Sequence, residues 1–327
     1  MISRRDALLG ALAVSIADGL LSKAMAAQDW PNTYVKLLVG GAPGSVPDSL
    51  ARLAVDALSA RLGQSFVVEN RAGAGGIVAM QGVATAAPDG YTIGLATISQ
   101  LVFNEYLFAK LPYDPARDLK PISTLATSAS VLAAHPSLQV SRLADLVALS
   151  KRDPGKLLLG IPANGSPPHI AALLLLKTTG LSASVVPFKT GPDSLTAALR
   201  GDIQLLIDGP ALLAPQIDSK ALSAIVATGH ERFGSLSAVP TIAEAGFPDA
   251  TAESWLGIVA PAGLPDPVAD KLSRECSALL GNDAYVQKLK HLSFAPKSTT
   301  PSEFRDLIAS ERARWSPVLQ TAGLKLG

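Results

Sequence analysis

Residues 40–48, Gly-Gly-Ala-Pro-Gly-Ser-Val-Pro-Asp, put small residues, a hydroxyl and a carboxylate between an apolar run and a helical periodicity. A turn without bulky side chains at a helix N-terminus presents backbone N–H groups carrying partial positive charge, which suits a carboxylate or a phosphate. Gly41, Ala42, Pro43, Gly44, Ser45 and Asp48 are therefore candidates for contact with an anion, and a plain strand-to-helix connection is the alternative. Asp48 has three roles open to it: binding a ligand ammonium, capping the helix, or interacting with the helix dipole. Further on, Asn164-Gly165-Ser166-Pro167-Pro168-His169 offers an amide, a hydroxyl and an imidazole at another helix start. Ser166 can cap that helix or turn its hydroxyl to a carboxylate, and His169 suits a structural hydrogen bond as well as a ligand. Thr97, Ser99, Thr190 and Asp208 follow apolar runs, where strand ends are expected.

Other chemistries lack their residues. No G-x-S-x-G nucleophile elbow and no H-E-x-x-H motif occurs. His135, His230 and His291 stand apart without metal-ligand spacing, so no metal or cofactor is expected. Cys276 is the single cysteine, which excludes an internal disulfide and fits a small core residue in a helical stretch. The cluster Ala72-Gly73-Ala74-Gly75-Gly76 fails as a dinucleotide fingerprint, because Val78 occupies the third glycine position and no acidic residue follows at the ribose distance. Gly75 and Gly76 are read instead as a close approach to a ligand or to another backbone segment. A net charge of +1 gives no electrostatic case for nucleic acid or a membrane surface.

The elements that must position these groups alternate between strand and helix. Val35–Val39 is a β-rich apolar run, and from Asp48 apolar residues recur at helical spacing until Gly63 closes the helix. Strands are expected at 65–69 and 91–96, with a helix at 77–86 and a Pro88-Asp89-Gly90 turn between. A second α/β pattern runs from about 125 to 250. Its expected strands are 130–134, 156–160, 182–188, 203–207 and 222–228, and its helices include 143–151 and 194–199. A strand at 253–260 and two helices, 266–280 and 301–322, complete the chain. Mostly parallel sheets with helices on both faces follow from this order. Ligands of open α/β sheets bind beyond the carboxyl ends of the strands, so a cleft between two such units is the expected site.

Residues 1–26 read as an export signal. Arg4 and Arg5 precede an Ala/Leu-rich segment ending in Ala24-Met25-Ala26, a cleavage site of the A-x-A kind. Ser3-Arg4-Arg5-Asp6 has the twin-arginine form, and the ordinary secretory route is the alternative. The expected location is the periplasm.

Several loops, in order, resemble one family, the Bug or TctC-type extracytoplasmic receptors of tripartite tricarboxylate transporters. The residues that carry the resemblance are Ala42-Pro43-Gly44 with Asp48, Val68-Glu69-Asn70-Arg71-Ala72-Gly73-Ala74-Gly75-Gly76, and Ala87-Pro88-Asp89-Gly90-Tyr91-Thr92. Asn164-Gly165-Ser166-Pro167 with His169, Val186-Pro187-Phe188-Lys189, Val239-Pro240-Thr241 through Gly246, and Trp255-Leu256-Gly257 continue it over essentially the whole exported chain. The resemblance implies a two-domain Venus-flytrap α/β fold similar to type II periplasmic binding proteins, with residues 28–127 plus 249–327 as one domain and 128–248 as the other. It also implies a non-enzymatic, monomeric receptor that captures a small organic acid and delivers it to a tripartite tricarboxylate-type membrane permease. A sensor that presents ligand to a signalling receptor would use the same cleft. Gly40, Gly41 and Ser45-Val46-Pro47 depart from the family pattern. Pro47 removes one N–H donor, and the two glycines suggest room for a bulkier ligand.

Overall fold

The computed structural model describes residues 30–292 and 294–322, so the export segment expected at 1–26 lies outside the described residues. The chain first lays down β1 (Val35–Val39), α1 (Val46–Leu62), β2 (Phe66–Asn70), α2 (Ile77–Ala84) and β3 (Thr92–Thr97). β1 pairs in parallel with both β2 and β3. Alternation along β1 sends Leu37 and Val39 to one face, where they pack with Leu50, Ala54 and Leu58 of α1. Leu38 goes to the other face, with Ala79, Met80 and Val83 of α2. α1 stops at Gly63, whose φ of 67° is left-handed and whose N–H returns to Ser59 O. In the 88–90 turn, Asp89 accepts from Tyr91 N–H at 3.0 Å, and Gly90 takes a φ of 87°.

A short helix α3 (Asn104–Leu107) precedes β4 (Leu119–Ala129), and near the chain's end β10 (Glu253–Pro261) and β11 (Ala295–Pro296) complete a six-stranded sheet ordered β11-β4-β10-β3-β1-β2. Trp255 of β10 packs edge-on against Phe304, 5.1 Å between ring centroids. The second sheet holds β5 (Val131–Ala134), β6 (Leu158–Ile161), β7 (Ser184–Pro187), β8 (Leu205–Asp208) and β9 (Ser223–Ala227), in the order β7-β6-β8-β5-β9. α4 (Leu143–Arg152), α5 (Pro167–Thr179), α6 (Gly191–Arg200) and α7 (Pro210–Asp218) connect its strands. α8 (Asp266–Ala278), α9 (Asp283–His291) and α10 (Pro301–Ala322) return to the first sheet's side. The result is a two-domain α/β fold. No helix among the described residues is long and apolar enough to cross a membrane.

The chain passes between the sheets at Ser130 and returns ahead of Glu253. Thr228 ties the two passages together. Its N–H donates to Ser130 O at 2.8 Å, and its hydroxyl accepts from Ser130 N–H at 3.0 Å and donates to Ala252 O at 2.7 Å. Ala252 N–H donates to Thr228 O at 2.8 Å, which closes the bridge.

Three expectations change. The sheets are mixed, since β10, β4 and β11 are antiparallel additions to the β1–β3 set and β5 runs antiparallel to both β8 and β9. The strands that carry the chain between the domains run against their neighbours. β4 has no sequence signature because Pro121 interrupts it and its buried Ser123 and Thr124 are satisfied by distant partners, Ser298 and Thr299. α7 and α9 were also not expected. Pro215 lies inside α7 and reads as a breaker, and α9 makes three terminal helices where two were expected.

Candidate ligand-binding site

A cavity of about 170 Å³ lies between the two sheets. Gly41, Ala42, Ser45, Gly75, Gly76, Thr97 and Ser99 line it from the first sheet, and Ser166, Thr190 and Asp208 from the second. The floor is made by Ser128, Ala129, Ser130 and Ser254 where the chain passes between domains. Val46 meets Gly209 across the cleft so tightly that a Cβ on Gly209 would lie 2.6 Å from a Val46 methyl. Gly75 faces Asn164 at another point, where a Cβ would lie 3.5 Å from the Asn164 carbonyl. The two walls therefore touch at their lips while leaving the cavity between them.

Six expected residues lie outside the lining, and each has a structural partner or a place at the rim. Asp48 accepts from Gly44 N–H at 2.9 Å, from Arg52 Nε at 2.9 Å and from Asn70 Nδ2 at 2.9 Å. Burial pushes its carboxyl up, but the hydrogen bonds from Arg52, Gly44 and Asn70 outweigh this and hold it below the usual carboxylate range. Since Asn70 Nδ2 also donates to Gly41 O, Asp48 braces the first loop from behind. Pro43 and Gly44 belong to that braced turn, and Gly44 has a φ of 77°. Asn164 sits at the lip, and Gly165 N–H donates to His169 Nδ1 at 3.0 Å. Burial drives the His169 imidazole down to about 4, so it is neutral near pH 7 and holds a turn.

The hydroxyls divide in the same way. Ser166 caps α5 by accepting from His169 N–H at 3.3 Å, and the residue lines the cavity. Thr190 caps α6 from Asp193 N–H at 3.2 Å and donates to that residue's carboxylate. Ser45 holds the N-cap position of α1, yet its hydroxyl makes no capping bond. Thr97 Oγ1 is engaged by Gln100 Oε1 at 2.6 Å.

The glycines at 40 and 41 do not open room for a bulkier ligand. A Cβ at Gly40 would stand 2.6 Å from Gly76 Cα, and one at Gly41 would strike Ser45 Oγ and Pro47 Cγ. Gly40 instead lets the 40–45 and 72–76 loops pack backbone to backbone, and Gly41 leaves room for the Ser45 and Pro47 side chains of its own loop. Gln100, which also lines the cavity, was missed. Its amide accepts from Thr97 N–H at 2.7 Å and donates to Gly75 O at 2.9 Å, locking two cavity loops together. A glutamine directly ahead of the apolar run Leu101-Val102-Phe103 was the available signal. Lys189 and Gly191 line the cavity too, and Lys189 is exposed.

Asp208 is 3% exposed, and its Oδ1 accepts from Gly209 N–H. Its Oδ2 has no partner among the described residues. Burial pushes this carboxyl up to about 7, with the Gly209 bond acting weakly the other way. Gly191 makes room for it, since a Cβ there would lie 2.8 Å from Oδ2. Among the described residues no group of three or more His, Cys, Asp or Glu side chains is placed to hold a metal.

A family model described as the tripartite tricarboxylate transporter family receptor, TctC, matches residues 50–324. Protein BugT of Bordetella pertussis is 31% identical over 320 residues, covering 98% of both chains. Among solved structures, R. palustris Rpa4515 with adipate is 34% identical with a TM-score of 0.87, over 91% of this chain and 99% of that one. MatC (Rpa3494) from Rhodopseudomonas palustris with bound malate is 28% identical with a TM-score of 0.82, over 89% and 100%. With nearly full-length likeness in sequence and in structure, this chain belongs to the tripartite tricarboxylate transporter receptor family, a family of solute-binding receptors and not of enzymes.

Proposed function

We propose that this chain is a periplasmic receptor that captures a small organic acid, a dicarboxylate in the first instance, in the cavity between its domains. The observation that carries this reading is a cavity between the domains lined by polar residues of both, Ser45, Ser99 and Ser166 on loops at strand and helix ends, and Asp208 opposite. Size supports it as well. A dry cavity of about 150 Å³ accepts benzene, so about 170 Å³ accepts a small organic acid a little larger than that ring. Two relatives solved with adipate and with malate point to the same ligand class. In this reading residues 28–127 with 249–327 form one domain and 128–248 the other, with Ser130, Thr228 and Ala252 at the hinge. The proposed contacts are the expected residues that line the cavity, Gly41, Ala42, Ser45, Gly75, Gly76, Thr97, Ser99, Ser166, Thr190 and Asp208. Delivery goes to a tripartite tricarboxylate-type permease, after export by the twin-arginine signal.

A thermal-shift screen of the exported chain with adipate, malate, benzoate and 6-aminohexanoate tests the ligand class. Ligand at a hundred times its Kd stabilises the folded state by about 2.7 kcal/mol, a readable rise in melting temperature. Adipate or malate is expected to give it. Folded protein that responds to none of the acids refutes the reading.

A further inference from the structure

Three residues of the cavity lining each carry a buried side-chain oxygen with no hydrogen-bond partner among the described residues: Ser45 Oγ and Ser99 Oγ on one wall, and Asp208 Oδ2 on the other. Unpartnered buried polar atoms are rare in folded proteins, and three around one cavity mark groups that await a ligand. The walls differ in what they offer. Hydroxyls on the first wall donate to a carboxylate directly. The second wall is short of backbone donors, because α5 starts with Pro167-Pro168, α6 carries Pro192 and α7 starts with Pro210, so four backbone N–H groups are missing from these first turns, and its side-chain donors are Ser166 and, at the edge, Lys189. The Gly209 N–H is already taken by Asp208 Oδ1.

A dicarboxylate spanning the cavity thus brings one of its carboxylates to a buried carboxyl group. Two ionised carboxylates in contact, both withdrawn from water, repel strongly, and one proton held between them removes the repulsion and makes a short charge-assisted bond. We propose that Asp208 binds the ligand as a carboxylic acid, donating from Oδ2 to a ligand carboxylate oxygen, so that capture of the dianion takes up a proton from solvent. This rests on the carboxylate reading above and adds to it a proton-linked specificity residue. The balance is simple: ionised Asp208, one proton and the dianionic ligand give a complex with one proton shared between two carboxyl groups, and no bond other than hydrogen bonds is made or broken.

The surroundings of Asp208 agree. Its strand partners are uncharged, with Val131 beside it on β5 and Leu205 and Leu206 of its own strand paired to Leu159 and Gly160 of β6. α7 begins Pro210-Ala211-Leu212, and Val46 covers Gly209 from the first domain. Of the nearby charged groups, Asp193 of α6 is bonded back to Thr190, Asp48 is turned to Arg52 and Asn70, and Lys189 at the cavity edge is exposed. His169 on α5 is neutral and bonded to Gly165. The carboxyl's own preference, raised by burial to about 7, leaves it able to gain a proton near neutral pH.

Calorimetry with adipate as the probe, from pH 6 to pH 9 in phosphate and in Tris, tests the inference on the wild-type protein and on Asp208→Asn. Adipate is doubly ionised above pH 7, so its own titration is silent there. The wild-type affinity is expected to fall about tenfold for each pH unit above neutrality, with buffer-dependent heats that report uptake approaching one proton at pH 8.5. In Asp208→Asn the amide oxygen keeps the Gly209 bond and the amide N–H points where Oδ2 was, so adipate binding is expected to persist without pH dependence or proton uptake. Wild-type affinity that is flat with pH overturns the inference while leaving the carboxylate reading intact. So does tight binding of 6-aminohexanoate that Asp208→Asn abolishes, because Asp208 would then act as an ionised acceptor. If adipate, malate and benzoate all fail to bind at every pH, the carboxylate reading itself is refuted and this inference falls with it.

Discussion

Asp208→Asn should make the ligand-free protein more stable at pH 8 than the wild type, and not at pH 4. The ordinary aspartate value of 3.8 is raised to about 7 in the folded protein because the carboxyl is buried with one hydrogen bond, to Gly209 N–H. A raised folded-state value means that the unfolded chain gives up its proton first. Stability associated with the protonated carboxyl is therefore complete below about pH 4 and is lost as pH rises to about 7. At about 1.36 kcal/mol for each factor of ten, that rise corresponds to a loss on the order of 4 kcal/mol, which is a large part of a typical folding free energy. Asparagine does not titrate, so the stability difference between variant and wild type isolates this one group from all the others. Urea unfolding at pH 4, 5, 6, 7 and 8, without ligand, supplies the measurement. The difference should climb by several kcal/mol across that range and level off above about pH 7. A difference that stays within about 1 kcal/mol from pH 4 to pH 8 would refute the reasoning, since the carboxylate would then be satisfied in the folded state by water or by Lys189.

Two further perturbations separate bracing from binding. Asp48→Ala removes three hydrogen bonds behind the first cavity loop and should cost about 3 kcal/mol, with ligand affinity falling although Asp48 itself lies outside the lining. Because hydrogen bonds hold the Asp48 carboxyl below its usual range, the contribution lost is one present above about pH 4 that fades as pH falls, so variant and wild type should converge in urea midpoint toward acid. Thr228→Val leaves Ser130 N–H and Ala252 C=O buried without their hydroxyl partner and should cost about 3 kcal/mol in thermal or urea unfolding. A cost under about 0.5 kcal/mol would show that the two interdomain passages do not depend on this bridge.

Much of the architecture was legible because its signals are local. The β1 run, the Gly63 stop, the Asp89 turn and the Ser166 cap each depend on residues within a few positions of one another, and each has its expected form. β4 escaped because its polar residues are paid for by partners some 175 positions away, which no window along the chain contains. Residue type alone also leaves a polar group's direction open. Asp48, His169 and Asp208 are all plausible ligand contacts as letters at element ends.

The sequence by itself determined the fold class, the family and the set of loops that meet at the cleft, since periodicity, turn chemistry and ordered motifs are written along the chain. Only the tertiary structure decided which of those polar groups are spent. It turned Asp48 to Arg52, Asn70 and Gly44, closed His169 onto Gly165, and filled the space beside Gly40 with Gly76. It left Ser45, Ser99 and Asp208, three residues of the cavity lining, each with a buried oxygen that no other group answers among the described residues. The physical reason is that hydrogen bonding is satisfied over the whole buried volume, so whether a given oxygen is free for a ligand depends on neighbours brought in from both domains.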